Sequence, residues 1–190
     1  MEQQFFGVSL EKLLTSGGQT LYMVALALII GTVIGIVLAL ILVLCKKGGL
    51  AENLILYNIV SIYINIVRSI PFVILLVAIM PITRAIVGTT IGSTAALVPL
   101  VVYISPYLAR LMENSLLEVN PGILEAAEAM GASTWQVIRY FLLPETLGSI
   151  VLALTTGTIG LLGASAMAGY GFSINNLFFV CIVFGGILCA

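Results

Sequence analysis

From Leu21 to Leu44 the chain carries no charged residue, and this run constrains its fold more than any other feature. A membrane-crossing helix needs roughly 20 apolar residues, because about 30 Å of hydrocarbon is crossed at about 1.5 Å per residue. Further runs follow the first. Leu54 to about Met80 is long enough for a second span, although Arg68 and Pro71 interrupt it. The uncharged stretch between Arg84 and Arg110 holds a third, with Pro99 and Pro106 inside it. Leu147–Ala168 reads as a fourth and Phe172–Ala190 as a fifth. Only 8% of the 190 residues are charged and 61% are hydrophobic, whereas a soluble domain carries about 25% charged residues to face water. The expectation is an all-α, polytopic membrane protein of about five transmembrane helices, forming a single domain over residues 1–190.

The charges also exclude chemistry. A net charge of −1 gives no reason to expect a nucleic-acid partner. The sequence contains no His and no Asp, which removes histidine metal sites, Ser/His/Asp triads and paired-aspartate proteolysis together. Catalytic, cofactor-binding and metal-ligating residues are therefore not expected. Cys45, Cys181 and Cys189 read as small hydrophobes of membrane helices. Residues 1–20 lack the basic region, short apolar core and small-residue cleavage site of a removable signal, so the first span is expected to serve as an uncleaved one. If the N-terminus lies outside, Lys46, Lys47, Arg110 and Arg139 fall in cytoplasmic connections, and Lys12 and Arg84 fall outside. The positive-inside bias favours that orientation. Small residues recur at four-residue spacing: Gly31, Gly35 and Ala39 in the first span, Gly160, Ala164 and Ala168 in the fourth. Close backbone approach drives helix association in lipid, so these faces are expected to meet other helices.

The longest polar connection, Glu113 to Glu145, then lies in the cytoplasm. Asn120-Pro121 reads as a helix start, a capping side chain followed by proline at the first helical position. Glu125 and Glu128 sit in the early turns, where negative charge suits the helix dipole. Gly131 suits a left-handed helix end, and Ser133-Thr134-Trp135-Gln136 reads as a capping box that opens a second helix. That helix is expected to stop before Pro144, which lacks the N–H needed to continue it. Two short helices meeting at a glycine corner form an elbow over residues 120–144. Ile123, Ala127 and Met130 share one side of the first helix, and Trp135, Ile138 and Leu142 one side of the second. A small face of Ala126, Ala127, Ala129 and Ala132 would admit a partner surface closely. An interfacial hairpin lying on the headgroups is the alternative, though few basic residues are present to hold anionic lipid.

Glu125-Ala126-Ala127, three residues, Gly131, nine residues and then Phe141-Leu142-Leu143-Pro144 resembles the coupling motif of ABC importer permeases, E-A-A-x3-G-x9-I-x-L-P. The single departure is Phe141 where the family has Ile. Arg68-Ser69-Ile70-Pro71-Phe72, the run Ile86 to Gly92, Ala109-Arg110 and Ala129-Met130-Gly131-Ala132 are similar to permeases of methionine importers, a resemblance covering about Arg68 to Gly131. It implies a permease subunit of a bacterial inner membrane that dimerises, receives a small amino acid from an extracytoplasmic binding lipoprotein, and docks on two cytoplasmic ATPase subunits. Docking would involve Glu125, Ala126, Ala127, Gly131, Ala132, Leu143 and Pro144. ATP and Mg would be bound by the ATPase partner, since none of Lys12, Lys46 and Lys47 lies in a G-x-x-x-x-G-K-[ST] phosphate loop. Residues 169–190 depart from the family: Ala166 to Gly169 runs directly into Tyr170-Gly171-Phe172. Such a C-terminal end resembles an internal deletion or altered frame, and impaired gating is the expectation.

Three other readings bear on the residues. The importer could carry another amino acid. A secondary transporter or channel would need an ionisable group within the bundle or two repeated halves with interrupted helices, and the carboxylates Glu52, Glu113 and Glu145 read as lying at span ends. An intramembrane hydrolase would need a lysine inside a span to pair with Ser69 or Ser165, and none is there. Arg68 is the one deep charge. It reads either as a contact for a substrate carboxylate or as a structural partner of a carbonyl or helix acid.

Overall fold

The computed structural model describes residues 4–5, 8–47, 52–89 and 92–173. Most of the expected fifth span, and the atypical C-terminal end beyond Ser173, lie outside the described residues. A two-residue antiparallel pair, β1 (Gln4–Phe5) with β2 (Val8–Ser9), precedes α1 (Leu10–Cys45). Then come α2 (Leu54–Ser69), α3 (Phe72–Val87), α4 (Ser93–Leu117), α5 (Pro121–Ala129), α6 (Thr134–Gln136), a π-helical segment Val137–Leu142, and α7 (Leu143–Ser173). Among the described residues, three helices are long and apolar enough to cross a membrane, at Leu14–Cys45, Thr94–Leu117 and Thr134–Ala168.

The second expected span is not one straight helix. α2 and α3 are bent by 114° at Ile70-Pro71. Pro71 sits in extended backbone (φ −54°, ψ 138°), and Ile70 before it is also extended, as a residue preceding proline prefers. Gly88 closes α3 at φ 79°, its N–H donating to the Arg84 carbonyl.

α4 is the central post. Leu100, Ile104, Leu108, Met112 and Leu116 recur every fourth residue and are at most 5% exposed, forming a stripe that α1 and α7 cover. Two glycines of α1 make that contact possible. A Cβ on Gly31 would collide with Ile104, and one on Gly35 would lie 3.1 Å from Leu108 Cβ and 3.3 Å from the Ser105 carbonyl. The small face expected on α1 therefore packs on α4, with Ala39 buried alongside. On α7 the expectation is corrected: Ala164 and Ala168 are buried, but Gly160 faces open space. Gly157 takes its place, a Cβ there falling 2.7 Å from Leu108 Cδ2. The outer faces remain apolar and exposed, as at Ile29, Val33, Ile59, Ile66, Val151 and Ile159. Such surfaces suit lipid or neighbouring helices and would be costly in water.

Candidate functional site

The elbow forms where local chemistry dictates. The Asn120 side chain accepts from the Gly122 N–H at 2.9 Å, so it caps α5 with Pro121 at the first helical position. At the far end Gly131 is left-handed (φ 70°), and the Ala132 N–H reaches back to the Ala127 carbonyl at 3.1 Å. That six-to-one bond defines a Schellman ending, which explains why a glycine stands at this spacing from the Glu-Ala-Ala run. The capping box also forms, the Ser133 N–H donating to Gln136 Oε1 at 2.8 Å.

Two expectations for the elbow are corrected. The second helix does not stop before Pro144. It loosens into the π segment, where the Leu143 N–H donates to the Ile138 carbonyl five residues back, and then continues through Pro144 into α7. Proline is tolerated there because it falls in the first turn of a newly registered α-helix, where a missing N–H matters least. Thr146 adds a hydroxyl donor to the Leu142 carbonyl at 2.9 Å. The elbow is thus continuous with a membrane helix.

The second correction concerns faces. Ala127 is fully buried, as are Val137, Ile138 and Leu142 to within 7%, because α5 packs on the π segment through this side. Ala127 therefore belongs to the interior of the elbow and is unavailable on its outer surface. Met130, expected to share a side with Ala127, and Trp135, expected to share one with Ile138 and Leu142, instead stand out at 68% and 64% exposure. Tyr140 joins them at 67%, with Glu125, Ala126, Leu143 and Pro144 also exposed and Ala132 half-buried. Periodicity in a nine-residue helix is too short to fix a face, and Met130 lies at the turn where the helical period ends.

A polar cluster that the sequence concealed ties α2 to α4. Arg110 donates to Glu113 Oε2 at 2.6 Å, to Asn65 Oδ1 at 2.7 Å and to Ser61 Oγ at 3.3 Å. Glu113 stands near the end of its span, as expected, within the last two turns of α4, yet it is only 4% exposed. The usable signal was the register of Ser61 and Asn65, one helical turn apart on α2. One turn further along α2 than Asn65, the Arg68 guanidinium carbon lies 5.9 Å from the Tyr107 ring centre. Among the described residues Arg68 makes no ion pair.

The matched family model, "Binding-protein-dependent transport system inner membrane component", spans residues 31–184. A probable D-methionine transport system permease protein MetI of Vibrio cholerae is 50% identical over 166 residues, covering 87% of this chain and 74% of that protein. The D-methionine transport system permease protein MetI of Escherichia coli K12 is 48% identical over 151 residues, covering 80% and 70%. A solved structure of inward facing conformations of the MetNI methionine ABC transporter superposes with a TM-score of 0.78 at 41% identity, covering 90% of this chain and 86% of that one. The chain belongs to the binding-protein-dependent transport system inner membrane components.

Proposed function

We propose that this chain is the membrane-spanning permease subunit of an ATP-binding-cassette importer for methionine, working as a homodimer in a bacterial inner membrane. The elbow carries the proposal: an exposed, capped and stiff bend, continuous with α7 and following directly on α4, suits a handle for a cytoplasmic partner. Its outer surface combines the Glu125 carboxylate with Met130, Trp135 and Tyr140. Buried aromatic anchors beside a charge are what a protein interface uses. Residues 1–190 form one permease domain of about five spans, with the elbow at 120–144 and an atypical C-terminal end at 169–190.

The docking surface is Glu125, Ala126, Gly131, Ala132, Leu143 and Pro144, with Ala127 supporting it from beneath. ATP and Mg belong to the ATPase subunits, and this chain contributes no hydrolytic residue. Closure of those subunits moves the elbows as rigid bodies and rocks the permease halves between outward and inward openings. A binding lipoprotein delivers the amino acid on the outer side, and Arg68 lies on its path.

The test is co-purification with ATP-dependent methionine uptake in proteoliposomes. Wild type is expected to retain the ATPase subunit and to transport, at a rate reduced by the atypical end at 169–190. Glu125→Lys and Gly131→Pro are expected to lose both, and retention of the subunit by both variants would show that the elbow is not the dock.

A further inference from the structure

We infer that the corner between α2 and α3 is an amino-acid subsite, in which Arg68 takes the substrate carboxylate and the rings of Tyr107 and Tyr103, backed by Phe72, take its apolar side chain. The inference rests on the importer reading above and names the residues that handle its cargo.

Four groups from three helices make one continuous ladder. Arg68 lies 5.9 Å from the Tyr107 centroid. Tyr107 stacks on Tyr103 at 6.5 Å and 12°, and Tyr103 meets Phe72 edge-on at 5.2 Å and 67°. Phe72 is buried and anchors the far end, whereas the Arg68 end is exposed. Depth makes that exposure informative. Arg68 lies fourteen residues beyond the start of α2, or about 20 Å along its axis. A guanidinium so far into a hydrocarbon layer about 30 Å thick is sustained only beside water, an anion or a partner group. The backbone argues the same way, because a helix broken at membrane depth is tolerated where it lines a cavity or is buried in protein. Polar residues also continue along this face of α2, from Ser61 through Asn65 to Arg68 and Ser69. A lipid-facing stripe would not be built so.

The chemistry of the ladder matches one class of ligand. A guanidinium presents a planar fork that binds carboxylate in two parallel hydrogen bonds. Aromatic faces and edges beside it favour a thioether or other unbranched apolar side chain. The cluster contains no carboxylate, so it makes no demand for the ligand's ammonium group. The subsite is therefore selective for the acid end of the molecule.

Binding of radiolabelled methionine to the assembled permease–ATPase complex in nanodiscs, without the binding protein, tests this. The desamino acid, 4-(methylthio)butanoate, is expected to compete, and the decarboxylated amine, 3-(methylthio)propylamine, is not. Arg68→Gln should weaken binding by about tenfold or more and Arg68→Lys by less, because a lysine keeps charge but loses the fork. Tyr103→Leu should weaken methionine more than alanine. Equal competition by acid and amine, or unchanged methionine binding in Arg68→Gln, overturns the inference. If Arg68→Gln does not assemble, the acid–amine comparison on wild type and the Tyr103→Leu preference decide it. Should the wild-type complex couple ATP hydrolysis to uptake of a different amino acid, the methionine reading falls. The same acid–amine comparison with that amino acid then supports or overturns the subsite on its own.

Discussion

Removing the Glu113 carboxylate while leaving Arg110 in place isolates the polar cluster between α2 and α4. Glu113 is 4% exposed and bonds Arg110 at 2.6 Å. Breaking a buried pair by deleting one partner costs about 3–5 kcal/mol, because the remaining charge is stranded. Two features reduce that figure. The Arg110 side chain is 19% exposed, and its second nitrogen keeps Asn65 and Ser61 as acceptors. Glu113→Ala is therefore expected to cost about 2–3 kcal/mol. Replacing both partners, as in Arg110→Met with Glu113→Leu, is expected to lie within about 1 kcal/mol of wild type, since a well-packed apolar pair avoids the desolvation of both ions. Unfolding of the purified complex in mixed micelles, followed by far-ultraviolet circular dichroism, measures each variant. A Glu113→Ala loss below about 0.5 kcal/mol, or a double variant less stable than either single one, would refute a charge held by its partner.

Further outcomes follow from packing and from the elbow. Gly31→Leu is expected to cost about 1–3 kcal/mol or more by driving a side chain into Ile104, whereas Gly160→Ala, which meets nothing within 4 Å, should stabilise α7 by about 0.5–1 kcal/mol; thermal unfolding in detergent compares the two. Trp135→Ala removes a side chain that is 64% exposed, so the isolated permease should keep its stability to within about 0.5 kcal/mol. ATPase retention should nevertheless fall by about tenfold or more, as loss of an interface anchor requires. A quantitative pull-down over a range of ATPase concentrations reads this out.

Uncharged runs and caps were legible in the sequence because each is a local property. Asn120, Gly131 and Ser133 act within four residues of themselves, and their hydrogen bonds stand where their side-chain chemistry puts them. What escaped were choices made by distant neighbours. Gly157 and Gly160 are equivalent as letters, and only the position of Leu108 on another helix distinguishes them. The missing N–H of Pro144 points to a terminator, but the π segment resets the register before it and lets the helix run on. Glu113 lies near its span end, as a charge suggests, but its burial is invisible in the sequence. Its buried position depends on Arg110, itself supported by Asn65, 45 residues earlier. Ala127 faced outward by composition and inward by packing. The α2–α3 corner was half legible, since Pro71 was visible as an interruption while the 114° turn was not.

The reach of α1 has a mechanical consequence. Its 36 residues make a rod of about 54 Å, and hiding that length in about 30 Å of hydrocarbon would require a lean far beyond the roughly 40° that such helices reach. Its first turns, with Glu11, Thr15 and Ser16 exposed, must therefore project from the bilayer as a mast. Because the same unbroken rod lies against α4 deeper down, a torque applied to the mast top would be felt at the middle of the molecule.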